Sequence, residues 1–275
     1  MAVQYLPTST ASGVTAYYRR AGRGRPLILL HGWGGSSSLW QETLHRLADG
    51  HDVIAPDLPG FGQSAPMSGP LSIERLADWV LAFADRLGLA TFDLNGHSLS
   101  GAVAVHVAAR RPRRVRRLVL TGFSTFKDER ERKLVDAIHH VIALWLSLRR
   151  PWMAERDAFV RLIGGRFVYQ LPTERGPLRE AMRDFMRMDK RTALETARGA
   201  GNPAISTALA AVDVPALVIA GRNDQIMPPA GAPVAAQRLR FGRLQWIERC
   251  GHLPMLEYPQ EYHRLLADFL DAPAP

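Results

Sequence analysis

The chain has 275 residues, 47% of them hydrophobic and 22% charged, with a formal net charge of +9. That length and balance suit one sizeable globular core and exclude the disordered and fibrous classes. No apolar run reaches the ~18 residues of a bilayer span, and the single cysteine, Cys250, excludes a disulfide framework within the chain.

The N-terminus, MAVQYLPTSTASG, lacks a basic region followed by an apolar core. No signal peptide is read there, and a cytoplasmic location is the default. The first 120 residues alternate strands with helices. VTAYYRR (Val14–Arg20) mixes β-branched and aromatic residues and reads as an early strand. PLILLHG (Pro26–Gly32) and DVIAPD (Asp52–Asp57) are short apolar runs closed by turn residues. Ser72 can cap a helix running to about Leu87, with Ile73, Leu76, Val80, Phe83, Ala84 and Leu87 on one side. FDLNG (Phe92–Gly96) is a strand, Ser100–Arg110 a buried helix of small residues, and VRRLVLTG (Val115–Gly122) the next strand. Strands apolar on both faces and separated by helices imply a mostly parallel sheet covered on both sides.

The pattern changes after Gly122. Residues 123–208 carry helical periodicity and no convincing strand; the amphipathic stretch Ala181–Ala197 is the clearest part. Alternation resumes with VPALVIAG (Val214–Gly221), a helix around Pro233–Arg240, the strand LQWIE (Leu244–Glu248) and a last helix from about Pro259 to Leu270.

Only 3 of the 35 basic residues are lysine, and the densest basic run is RRPRRVRR (Arg110–Arg117). A phosphate-binding patch is one reading of such a run. It bridges a helix end and a strand start, though, where basic residues suit the helix C-terminus. No aromatic residues interleave with it, so nucleic acid is not an expected partner.

Four pieces of sequence fall at the C-terminal ends of expected strands, the edge where open α/β sheets bind ligands. Ser98, in LNGHSLSG, sits between a strand and an Ala-rich helix, and a serine on such a bend projects its hydroxyl. Gly96 supplies the small neighbour the bend needs, whereas Ser100 stands where a second glycine is usual. Alone, the stretch reads more readily as a Gly/Ser turn. His252, in CGHLPMLEYP, follows the last strand, and histidine is the side chain suited to take a serine proton near neutral pH. Asp224, in AGRNDQIMP, follows the strand ALVIAG and can orient an imidazole; singly it is more readily an Asx turn or helix cap. HGWGG (His31–Gly35) lets backbone amides point into a cleft, with the N–H groups of Trp33 and Leu99 as oxyanion donors. A phosphate loop would need a following Lys-Ser/Thr, which is absent. His31 reads as a residue that holds this loop.

Serine, aspartate and histidine, each after its own strand, follow the chain order of the α/β-hydrolase triad. The sequence resembles that superfamily over nearly its whole length. HGWGG is similar to its oxyanion loop, DLPGFGQS (Asp57–Ser64) to the turn after the following strand, GHSLSGAVA to the nucleophile elbow, GRNDQIMP to the acid loop and GHLPMLEYP to the histidine loop. The resemblance implies an α/β fold with a mostly parallel central sheet of about eight strands covered by helices. It divides the chain into a core, 1–122 and 209–275, and a helical cap inserted at 123–208. It implies a serine-nucleophile branch, esterase/lipase-like or carbon–carbon bond hydrolase-like, with Ser98, Asp224 and His252 as triad. Asp128, just past the sixth strand, is an alternative acid.

The expected activity is hydrolysis of a hydrophobic carboxylic ester or lactone through an acyl-enzyme, with no cofactor and no metal. Carbon–carbon cleavage of a diketone uses the same triad. A protein that binds a hydrophobic ligand or partner without turnover is the reading from a different class, and it leaves the three residues without a purpose. The insertion offers an apolar wall from Leu134, Ile138, Ile142, Trp145, Leu146, Trp152, Phe159, Phe167, Met182 and Met186, which is equally the insertion's own core. Cys250 reads as inert filling. Oligomeric state has no signature in the sequence.

Overall fold

The structure is a computed structural model and describes residues 3–9, 14–125, 146, 148–172, 176–199, 202 and 204–273. Eight strands form one sheet: β1 (Gln4–Ser9), β2 (Thr15–Ala21), β3 (Arg25–Leu30), β4 (His51–Pro56), β5 (Phe92–His97), β6 (Val115–Thr121), β7 (Ala216–Gly221) and β8 (Gly242–Ile247). Their spatial order is β1-β2-β4-β3-β5-β6-β7-β8. β1 and β2 join antiparallel, and every pairing from β4 onward is parallel. The expected α/β class and sheet are therefore what the chain adopts.

Period-two alternation builds two cores from the same strands. In β3, Ile28 and Leu30 face one layer while Leu27 and Leu29 face the other. The first layer is closed by α2 (Ile73–Arg86), α3 (Leu99–Arg110) and the helix Gly231–Arg238, through Val80, Phe83, Val103, Val107 and Ala235. The second is closed by α1 (Gln41–Leu47) and the last helix, Pro259–Asp271, through Leu44, Tyr262, Leu266 and Leu270, with Trp40 beside them. Ser72 caps α2 as expected, its hydroxyl accepting the Arg75 N–H at 3.3 Å.

β1 and α1 are among the elements that escaped the sequence reading, and one stretch was divided. β1 carries Pro7, which a strand tolerates at a sheet edge, and β1 is that edge. α1 is only 7 residues long, too short to establish a helical period. The amphipathic stretch Ala181–Ala197 is two helices, Gly176–Arg187 and Lys190–Gly199. Asp189 makes the break: its carboxylate accepts the Thr192 N–H at 2.7 Å and caps the second helix, while its own N–H donates to Gly60 O at 3.1 Å. The basic run is drawn into internal contacts, with Arg110, Arg114 and Arg116 paired to Asp78, Asp85 and Asp93. Among the described residues no helix is long and apolar enough to cross a membrane.

The chain leaves β3 toward β4 on one side and returns to β5 on the other. The strand order therefore reverses between β3 and β5. A crevice opens at such a switch point beyond the C-terminal strand ends, and there the loops after β3 and β5 face each other.

Candidate active site

Ser98 follows β5 directly, with φ 55° and ψ −120°. Left-handed φ is costly for a residue with a Cβ, and local contacts hold it there. The Ser98 N–H donates to Thr121 O at 2.9 Å, and Ser98 O accepts the Gly101 N–H at 2.8 Å. A Cβ at Gly96 would stand 2.2 Å from the Ser100 carbonyl oxygen, so strand and helix meet closely enough to demand glycine. Ser98 sits at the N-cap position of α3, yet its hydroxyl does not cap the helix. It is directed instead at His252, with Nε2···Oγ 2.9 Å.

β7 and β8 deliver the other two residues. The acid and histidine loops are joined by the Asn223 N–H, which donates to Cys250 O at 2.9 Å. Asp224 Oδ2 lies 2.7 Å from His252 Nδ1, and Asp224 Oδ1 accepts the N–H groups of Ile226 and Met227 at 2.8 and 2.9 Å. One carboxylate oxygen is thus held by the backbone and the other by the imidazole. Ser98, Asp224 and His252 are all buried. Nδ1–H donates to Asp224, which leaves Nε2 as the acceptor facing the Ser98 hydroxyl.

The glycine-rich loop packs against this bend. A Cβ on Gly32, the residue before Trp33, would lie 2.6 Å from His97 Nδ1 and 3.1 Å from Ser98 Cβ. The N–H of Leu99, the first residue of α3, has no intrahelical acceptor because of its position. The loop is fixed from three directions. His31 Nδ1–H donates to Gly32 O at 2.8 Å, and Nε2 accepts the Leu58 N–H at 3.0 Å. Burial pushes the His31 pKa down, so the ring is neutral and structural, as expected. The third hold is Ser100, whose hydroxyl donates to His31 O.

Several supporting residues had no sequence signal. His97, between Gly96 and Ser98, is buried, its ring 4.8 Å from that of His252. Its Nε2–H donates to His252 O at 2.9 Å, and burial holds its pKa down at about 3. Below the bend, Asn95 Nδ2–H donates to Tyr262 Oη at 2.7 Å and Asn95 Oδ1 accepts the Thr121 hydroxyl at 3.0 Å. Asp57 Oδ1 accepts the Ser37 N–H at 2.7 Å, and Asp57 Oδ2 accepts from Gln63 N–H at 3.0 Å and Tyr5 Oη–H at 2.5 Å. The DLPGFGQS turn signalled a loop, but not these partners.

The helices between β6 and β7 lie over this edge. Trp33 Nε1–H donates to Ala193 O at 2.9 Å, and the Trp33 ring meets Phe185 edge-on at 5.4 Å. Asp184 Oδ2 accepts the Ser36 and Ser38 hydroxyls at 2.6 and 2.7 Å. Of the expected apolar wall, Leu146, Met182 and Met186 are buried, while Phe159 and Phe167 are half-buried. Trp152 is 51% exposed and rests against Phe159. Leu134, Ile138, Ile142, Trp145 and the alternative acid Asp128 lie outside the described residues. Cys250 is buried, and burial with the nearby Glu257 pushes its thiol well above the usual range.

A parallel sheet with this strand order, and a strained serine at its switch point, is the architecture of an α/β hydrolase. Residues 25–259 match the family model for the alpha/beta hydrolase fold, and the chain belongs to that family. It is 30% identical over 252 residues to the pimeloyl-[acyl-carrier protein] methyl ester esterase of Neisseria meningitidis serogroup A, covering 90% of this chain and 77% of the relative. It is 29% identical over 268 residues to the 2-hydroxymuconate semialdehyde hydrolase of Pseudomonas sp., covering 94% and 92%. Among solved structures, the esterase of Exiguobacterium antarcticum superposes with a TM-score of 0.84 at 20% identity, covering 98% of this chain and all of that one. Family and relatives together make the chain a hydrolase.

Proposed function

We propose that the chain is a serine hydrolase that cleaves a hydrophobic carboxylic ester through an acyl-enzyme on Ser98. The observation that carries this reading is the continuous path from Ser98 Oγ to His252 Nε2, 2.9 Å, and from His252 Nδ1 to Asp224 Oδ2, 2.7 Å. His252 Nε2 takes the hydroxyl proton as Oγ adds to the carbonyl carbon. The carbonyl oxygen becomes an oxyanion, which the N–H groups of Trp33 and Leu99 stabilise. Collapse breaks the bond to the alcohol, which leaves with the proton from His252. Water then gives a proton to His252 and adds to the acyl carbon, and the acid departs as Ser98 regains its hydrogen. Asp224 holds the imidazole tautomer and stabilises its charged form.

In this reading residues 123–208 form a cap over a core of 1–122 and 209–275. Trp33 of the glycine-rich loop and Phe185 of the insertion pack their rings against each other. The esterase relative supports an acyl ester as substrate. A carbon–carbon substrate is the second reading, supported by the semialdehyde hydrolase relative, which is nearly as similar.

A fluorophosphonate probe tests the proposal. The wild type is expected to be labelled and Ser98→Ala not, with Ser98→Ala losing at least about 10³-fold in turnover of p-nitrophenyl esters. An unlabelled wild type refutes the serine mechanism. Labelling without turnover at any acyl chain length moves the substrate to the carbon–carbon class.

A further inference from the structure

Glu257 ends the short helix Pro254–Glu257, five residues after His252, and its half-buried carboxylate lies between two distant chain segments. Oε1 accepts the Gly251 N–H at 2.8 Å, from the residue preceding His252. Oε2 accepts the Tyr169 N–H at 2.6 Å and the Gln170 N–H at 3.3 Å, both from the insertion between β6 and β7. The same stretch of the insertion reaches His252 itself: Phe167 O accepts the His252 N–H at 2.7 Å. The two segments touch without a gap, since a Cβ on Gly251 would stand 2.7 Å from Tyr169 N and 2.9 Å from Phe167 O. On the other side, His252 O is held by His97. The histidine backbone is therefore pinned by the insertion through its N–H and by the serine bend through its C=O.

We propose that Glu257 is a positioning residue that makes the placement of His252 conditional on the seating of Phe167–Gln170. The inference rests on His252 being the base of the proposed mechanism. One carboxylate collects the amides of both segments, so the histidine loop and the insertion settle together or not at all. If the insertion lifts, Glu257 loses two donors, His252 loses the acceptor of its N–H, and the imidazole is free to leave the 2.9 Å line to Ser98 Oγ. If Glu257 is removed, the Gly251 and Tyr169 amides are left unpaired between two tightly packed strands of backbone. Proton abstraction is steeply sensitive to such displacements, whereas substrate affinity is not.

Glu257→Gln, Glu257→Ala and Tyr169→Pro, which deletes one donor, separate this role from a merely structural one. Turnover of p-nitrophenyl butyrate and the rate of fluorophosphonate labelling are both expected to fall roughly tenfold to a hundredfold in Glu257→Ala. KM is expected to change less than about threefold, and Glu257→Gln to lie between Glu257→Ala and wild type, since one acceptor oxygen remains. Tyr169→Pro is expected to lower kcat alone and to add little on top of Glu257→Ala, because both break one junction. Wild-type kcat in the folded variants, or full additivity, overturns the proposal.

Amide hydrogen exchange reads the same junction without chemistry. The Glu257 variants are expected to lose protection at Tyr169, Gln170, Gly251 and His252 together. Retained protection at His252 overturns the proposal even if Ser98 takes no probe, while lost protection in an unlabelled protein leaves the junction standing and removes only the serine mechanism.

Discussion

Ser100 occupies the place where the common bend has glycine, and its hydroxyl donates across 69 positions of sequence to His31 O. The side chain is fully buried, so the bond is made without competition from water. Ser100→Ala keeps the volume of the site nearly unchanged and leaves His31 O without this donor. A loss of about 1–2 kcal/mol in unfolding free energy is expected, measured by denaturant titration. If the glycine-rich loop supplies an oxyanion donor as proposed, a fall of about tenfold in kcat is expected, and unchanged kcat would mean that His31 alone holds the loop. Ser98, Asp224 and His252 were legible in the sequence because each follows a strand, and strand ends converge on one edge of a parallel sheet. The role of Ser100 was not, because it depends on which carbonyl the neighbouring loop presents. His97 was hidden for the same reason: a histidine inside the bend has no pattern, and only the fold reveals that it supports the backbone of a second histidine.

Among the elements, the helix Gly176–Arg187 is fastened to the loop after β3 by Asp184 and the hydroxyls of Ser36 and Ser38. Burial raises the Asp184 pKa, the two hydroxyls lower it, and the charges of Asp57 and Glu180 raise it further. A carboxyl whose folded pKa lies above its unfolded value disfavours the folded state once it must ionise. The penalty is absent in acid and grows as pH rises above the ordinary value of 3.8. Asp184→Asn, which still accepts both hydroxyls, is expected to raise Tm by about 2–4 °C near pH 8, the shift of ~1 kcal/mol at this size. The gain is expected to vanish toward about pH 4 in thermal melts; a Tm that falls at pH 8 would show that the charge itself is needed. Elements with a strong local signal were readable, as with the Ser72-capped α2. β1 was not, since a six-residue edge strand containing proline is defined by its pairing with β2 rather than by its own residues.

At the scale of the fold, buried histidines among the described residues contribute to the response to acid. His97 is held down at about 3 and His263 at about 4, both chiefly by burial, and burial also lowers His31, His51 and His106. A histidine with a lowered folded pKa binds its proton more readily in the unfolded chain, near 6.5. The contribution to stability is complete above that value and declines as pH falls through it, by about 1.4 kcal/mol per pH unit for each of His97 and His263 until their folded values are reached. Tm is therefore expected to be nearly flat above about pH 7 and to drop steeply between about pH 6 and pH 4, before most carboxylates titrate. A Tm constant from pH 7 to pH 5 would contradict this. The sheet and its two helical layers could be read from periodicity, but these titrations could not, because burial depends on packing between segments far apart in the chain.

The bond from Asn95 to Tyr262 joins the serine strand to the last helix across 167 positions of sequence. During synthesis, Ser98 leaves the ribosome long before Asp224, His252 and Tyr262. On the proposed mechanism, a nascent chain already holding β3, β5 and the bend still lacks the residue that would deprotonate the serine, and it lacks the tyrosine bonded to the strand beneath it. The proposed nucleophile is thus protected by order of emergence. On that mechanism, a chain that ends before His252 holds the serine without its base, and the strand beneath it gains its last tie only with Tyr262.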